Sequence, residues 1–247
     1  MRPPAITRRS ALISGAAASS AVALAPPTIA ETLNRRLPWA PGLADRPDRL
    51  DDRPGYIFFS AEEAAFVEAA VARLIPKDDL GPGALEAGVP RFIDRQLAGP
   101  YGQGDHFYLH TPMPKGEATQ GWQMGSPGEV YRAAIREVDR WTLDAKGKPF
   151  AQLAPSDQDE ALGELESGKA PLKAGPPAKA FFDLLLQNTL EGFFADPLYG
   201  GNRDMVAWRL IGFPGARYDY REFVALHGQP YPLPPVGLMG RREWTKG

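Results

Sequence analysis

The chain of 247 residues contains no cysteine, three histidines and a nearly balanced 28 basic and 30 acidic side chains, for a formal charge of −2. The lack of thiols excludes disulfides, iron–sulfur ligation and covalent haem attachment, and the charge gives no electrostatic hold on nucleic acid or anionic lipid. Glycine and proline number 26 each, a share that calls for long irregular connections between compact helices.

At the amino terminus, Thr7-Arg8-Arg9-Ser10-Ala11-Leu12-Ile13 keeps the Ser/Thr-Arg-Arg and the leucine of a twin-arginine export signal, without its phenylalanine and lysine. The weakly apolar stretch from Ala11 to Ala25 is interrupted by Ser14, Gly15, Ser19 and Ser20, and falls short of the roughly 20 strongly apolar residues of a membrane span. Thr28-Ile29-Ala30 offers the small residues a signal peptidase requires. Residues 1–30 therefore read as a twin-arginine signal peptide marked by Arg8 and Arg9, and not as an anchor. Its removal takes three arginines and no acid, leaving 25 basic against 30 acidic residues, a balance of −5. That route exports folded proteins, often with a cofactor already inserted, yet this chain has few side chains with which to hold one.

Residues 31–55 are charged and punctuated by proline, as in a linker or extended arm. A capping box at Ser60-Ala61-Glu62-Glu63 then predicts a helix whose Phe66, Val67, Ala70, Val71, Leu74 and Ile75 form one buried stripe ending at Pro76. Pro90 suits the first turn of a second helix, which carries Phe92, Ile93 and Leu97 and is closed by Gly99. Residues 100–125 lack periodicity and predict a long structured loop. A second capping box, Ser126-Pro127-Gly128-Glu129, opens an amphipathic helix that ends near Gly147. A shorter helix is expected after Ser156, closing at Gly168. From Pro177 to Ala195 apolar residues surround much of the helical wheel, which places that helix in the middle of a bundle or under a second surface. A last helical segment spans about Arg203 to Ile211, and residues 229–247 form a proline-rich extended tail. The expected fold is mainly α: a compact bundle of five or six helices over residues 56–228, with long irregular loops and extended N- and C-terminal arms.

Few side chains are arranged for chemistry. His106 and His110 stand four apart beside Asp105, but Gly102, Gly104, Pro112 and Pro114 argue against a helix there and the third histidine is remote at His227. They read as loop histidines in preference to a metal site. The adjacent pairs Asp51-Asp52 and Asp78-Asp79 read as solvated caps and turns. No nucleophile elbow, phosphate loop or dinucleotide fingerprint occurs, so no catalytic, cofactor-binding or metal-binding residue is assigned. Arg132, Arg136 and Arg140 form an i, i+4, i+8 row, either a solvated helix face or a line of contacts to an acidic partner.

Residues 196–220, DPLYGGNRDMVAWRLIGFPGARYDY, concentrate large surfaces on tight turns: Tyr199, Trp208 and Phe213 with Gly200, Gly201 and Pro214. Aromatic anchors on rigid turns suit a protein interface, although a folded core uses the same residues. The run Asp196-Pro197-Leu198-Tyr199-Gly200-Gly201-Asn202-Arg203-Asp204-Met205, with Trp208 and Gly212-Phe213-Pro214-Gly215, resembles the signature of the gluconate 2-dehydrogenase small-subunit family. Phe59-Ser60, Ile75-Pro76, Ser126-Pro127 and Thr189-Leu190-Glu191-Gly192-Phe193-Phe194 match it as well, so the likeness covers about residues 56–228; Ala207 stands where the family has glycine. The resemblance implies a non-catalytic subunit of a membrane-bound dehydrogenase acting on sugars, polyols or sugar acids. In such a complex a large flavoprotein carries FAD, a multihaem cytochrome c passes electrons to quinone, and the small subunit brings the twin-arginine signal and is needed for maturation of the flavoprotein. The cargo of the translocase would then be the flavoprotein bound to this chain, and the complex would sit on the periplasmic face of the cytoplasmic membrane. The competing readings are a stand-alone periplasmic hydrolase and a periplasmic binding or scaffold module.

Overall fold

The computed structural model describes residues 55–105, 125–217 and 219–238. Seven α-helices occur among them: α1 Ala61–Leu74, α2 Val89–Ala98, α3 Pro100–Gln103, α4 Pro127–Lys146, α5 Pro155–Glu166, α6 Ala178–Phe194 and α7 Val206–Ile211. Short 3-10 turns join or extend them at Phe150–Gln152, Pro197–Tyr199, Arg203–Met205 and Arg221–Leu226. No strand forms among the described residues; two isolated backbone bridges, Asp78 with Gly81 and Gly215 with Val236, are the nearest approach. The chain is mainly α, as its apolar periodicity requires.

Both predicted capping boxes form. The Ser60 hydroxyl accepts from the Glu63 amide while the Glu63 carboxylate accepts from the Ser60 amide, and Ser126 and Glu129 repeat the arrangement at α4. Gly147, at φ 75°, closes α4 with its N–H on the Leu143 carbonyl. Two boundaries differ from the sequence reading. The stretch expected to be loop from Pro100 begins with a further helical turn, α3, because Pro100 can open a helix and Gly102 has no Cβ to strike the Leu97 carbonyl, 1.8 Å from where it would stand. Helix α5 begins at Pro155, before Ser156, again because proline fits the first turn, where no backbone hydrogen bond is lost. His106 and His110 lie outside the described residues.

An aromatic chain forms the centre of the bundle. Phe66 of α1, fully buried, meets Phe150 at 4.7 Å and Phe181 of α6 at 6.2 Å between ring centroids; Phe181 is edge-on to Tyr131 of α4 at 5.6 Å, and Tyr131 reaches Phe59 at 6.1 Å. The buried Tyr131 oxygen accepts from the Asn188 amide at 3.0 Å, while Asn188 Oδ1 accepts from Tyr101 at 3.0 Å. Burial pushes both tyrosine hydroxyls up from their ordinary value, Tyr131 the further. At the periphery α5 is tied by Arg73 to Asp159 and by Lys146 to Asp157 and Glu160.

Two buried carboxylates organise the irregular segments. Asp94 of α2, with no exposed surface, accepts from the amides of Ile57, Phe58 and Phe59 at 2.8–3.0 Å and pairs with Arg95. Glu137 of α4 accepts from the amides of Lys173 and Ala174 and pairs with Arg140. Each gathers backbone donors of a segment outside the helices, and the Phe59 amide is held by a buried bond, whose loss would cost about 1–3 kcal/mol.

Candidate functional site

The signature run follows α6 and is held by backbone contacts that admit no side chain. Gly201 lies on Gly192 of α6: a Cβ on Gly201 would stand 2.1 Å from the Gly192 carbonyl oxygen, and one on Gly192 would stand 2.7 Å from the Phe92 ring. The Asn202 amide donates to Gly192 at 3.0 Å, and the Arg203 amide donates at 2.9 Å to Ala87, in the turn ahead of α2. Thus the two glycines let the turn sink onto α6 and α2.

Three non-glycine residues in this turn adopt left-handed backbone: Asn202 at φ 43°, Asp204 at φ 57° and Met205 at φ 55°. Each such conformation costs about 1–3 kcal/mol and persists only where the surroundings fix it. The fixing comes from Asn202, fully buried, whose Nδ2 donates to the Ala195 carbonyl at 2.9 Å and whose Oδ1 accepts from the Ala207 amide at 3.0 Å. One amide therefore joins the end of α6 to the start of α7. Asp196 acts in a similar way over a longer range, with Oδ1 accepting from Leu198 at 2.9 Å and Oδ2 from Leu238 at 2.7 Å.

The predicted interface residues divide by exposure. Trp208 is 6% exposed and donates its indole N–H to the Phe194 carbonyl at 2.9 Å, so it serves the core. Phe213, 43% exposed, stands edge-on to Trp208 at 5.1 Å, and Tyr199 is 51% exposed. Gly201 is buried, Gly200 takes φ 93° to end the Pro197–Tyr199 turn, and Pro214 is half-buried beside Phe213. Sequence reasoning missed the apolar residues that extend this surface. Leu190 and Phe194, one turn apart on α6, and Leu210 and Ile211 on α7 are all exposed, and the signal for the first pair was the apolar wheel of α6. Arg203 and Arg209 are exposed and make no ion pair among the described residues; Asp204, between them in sequence, is also exposed.

The arginine row is not uniform. Arg132 donates to the Glu63 carboxylate and to the Phe58 carbonyl, with its guanidinium 4.2 Å from the centre of the Phe58 ring. Arg140 is engaged with the buried Glu137, and Arg136 is exposed without an ion pair among the described residues. Two of the three therefore hold this chain together, and one faces solvent.

Among the described residues no three His, Asp or Glu side chains are placed to hold a metal ion. The arrangement is suited to recognition: exposed aromatic and aliphatic groups stand on turns whose backbone is fixed from beneath, which limits the entropy lost on docking. No curated protein and no solved structure matches the chain. The family model described as gluconate 2-dehydrogenase subunit 3 matches residues 61–215, from the first residue of α1 to the glycine that ends the signature. With more than half its length matched, the chain belongs to the gluconate 2-dehydrogenase subunit 3 family.

Proposed function

We propose that this chain is the non-catalytic small subunit of an FAD-dependent dehydrogenase complex acting on CH–OH groups of sugars, polyols or sugar acids. It binds the large flavoprotein in the cytoplasm, carries it through the twin-arginine translocase and stabilises it on the periplasmic face of the membrane. FAD belongs to the flavoprotein and haem c to a multihaem cytochrome partner. The observation that carries this reading is the family match over residues 61–215, which includes the whole signature run. The Thr7-Arg8-Arg9 sequence supports the export step, and no helix among the described residues is long and apolar enough to cross a membrane.

The signature supplies the docking surface on this reading. Tyr199, Phe213 and Pro214 meet the partner, Gly200, Gly201 and Trp208 hold them in place, and Arg136 offers the free cation of the row formed with Arg132 and Arg140. Changing Arg8 and Arg9 together to lysine is expected to leave the dehydrogenase activity in the cytoplasmic fraction, folded and FAD-loaded. Undiminished activity in the periplasm of cells carrying that variant would overturn the escort role.

A further inference from the structure

Beyond the signature the chain leaves the fold at Gly215 and returns to it at Val236. The Ala216 amide donates to the Val236 carbonyl at 2.6 Å, and the Val236 amide donates to the Pro214 carbonyl at 3.2 Å. Gly215 takes φ 82°, and a Cβ there would stand 2.1 Å from the Val236 oxygen. Asp196 completes the closure through the Leu238 amide, with Gly237 against its carboxylate. The loop between has a small interior of its own. Tyr231 meets Phe223 at 4.7 Å and Tyr220 at 6.0 Å, and Arg217 lies over the Tyr231 ring while donating to the Pro234 carbonyl at 2.7 Å.

A loop closed at its base and packed on its own rings would be expected to turn its remaining apolar groups inward. Instead Val224 is 70% exposed, and Leu226 and Leu233 are exposed with it. Val224 and Leu226 lie in the Arg221–Leu226 turn, and Leu233 lies on the returning limb. The charges of the loop give no net positive face, since Arg221 pairs with Asp219, Glu222 adds an acid, and Arg217 is already held by Tyr231 and Pro234. Without a free cationic row the loop has little attraction for an anionic bilayer, whereas exposed apolar groups on a preorganised loop fit a protein partner. A chain of a family described as a subunit must have such a partner.

We propose that residues 219–233 form a docking loop, closed at its base by Gly215 and Asp196, that seats Val224, Leu226 and Leu233 against an apolar surface of the catalytic flavoprotein. The inference rests on the subunit reading above and adds a contact beyond the matched residues, C-terminal to the signature. The test is co-expression of the tagged full chain with the flavoprotein of its complex, followed by the flavin recovered per mole of tagged chain and its dye-linked dehydrogenase activity. Val224→Asp with Leu226→Asp, and separately Leu233→Asp on the other limb, are expected to lower recovered flavin about tenfold while the thermal melt of the isolated chain stays unchanged. Gly215→Ala is expected to lower it too, with faster tryptic cleavage at Arg221, because the base opens. Full flavin recovery by both tip variants overturns the docking loop and leaves the subunit reading intact. If those variants instead recover full flavin but lose sedimentation with phosphatidylethanolamine–phosphatidylglycerol vesicles, the loop serves lipid and the proposal fails. No flavin recovered with the unaltered chain overturns both.

Discussion

Gly201 lies against the Gly192 backbone with no room for a methyl group, and it is not among the positive-φ glycines, so its requirement is steric and not conformational. Replacing it by alanine forces apart two backbones, neither of which is a flexible side-chain end. Gly201→Ala is therefore expected to destabilise the chain by about 1–3 kcal/mol, read as a lower urea midpoint with an unchanged slope. An unchanged midpoint would mean that the turn does not sit on α6 as described. Asn202 is under the opposite constraint. Its φ of 43° would suit glycine, but glycine could not supply the two side-chain hydrogen bonds that join Ala195 to Ala207. Trp208 and Phe213 illustrate what composition cannot separate: both are large aromatics in one short run, yet one donates into the core and the other faces solvent. Only the end of α7 at Gly212, where φ is 69° and the Phe213 amide returns to the Trp208 carbonyl, decides which is which.

At the scale of elements, the approach to α1 depends on a residue of α2. Asp94 gathers three successive amides just before the Ser60 cap, so the start of the bundle is set by a carboxylate some thirty-five positions along the chain. Asp94→Asn retains one acceptor oxygen but turns an NH2 group toward donor amides and leaves Arg95 facing a neutral group. The expected cost is about 3 kcal/mol, measured by chemical denaturation, with lost hydrogen-exchange protection confined at first to the amides of residues 57–59. Protection equal to that of the unaltered chain would remove Asp94 from this role. Neither Asp94 nor Glu137 was legible in the sequence, because their partners are backbone amides far along the chain. What was legible is local: the two capping boxes, the stripe of α1, the proline of α2 and the glycine after α4 each depend on neighbours within a turn. The errors share that explanation. Helix α3 depends on the approach of Gly102 to Leu97, which no spacing rule reveals, and α5 begins two residues early because Pro155 takes the first helical position, ahead of Ser156. The candidate site was legible as a motif; its exposed extension through Leu190, Phe194, Leu210 and Ile211 required the packing of α6 and α7.

Across the whole molecule, the aromatic core of α1, α4 and α6 is closed, while most of the exposed large apolar groups fall on the last turns of α6, α7, the signature turns and the loop beyond them, with Ile57, Leu80, Leu85 and Leu143 exposed elsewhere. Scattered exposed leucines are ordinary, and the succession of them along this stretch is the surface proposed above for the partner. On the function proposed above, binding there ties the stability of the chain to the flavoprotein by mass action. With the flavoprotein a hundredfold above its dissociation constant, the folded chain gains about 2.7 kcal/mol, which for a domain of this size raises its melting temperature by roughly 5–10 °C. The absence of cysteine makes the measurement direct. A single Lys148→Cys substitution, at an exposed position just beyond α4, takes a fluorescent label without competing thiols, so that the melt of this chain is followed inside the complex. The labelled chain is expected to melt higher as flavoprotein is added, with the rise proportional to the logarithm of its concentration. The same rise should be lost when Phe213→Asp places a charge on the exposed ring position, because the fold beneath keeps Trp208 and its hydrogen bond while the covered surface loses its match. A melt that ignores added flavoprotein would show that the exposed surface belongs to some other partner, since binding to the native state alone cannot fail to shift it.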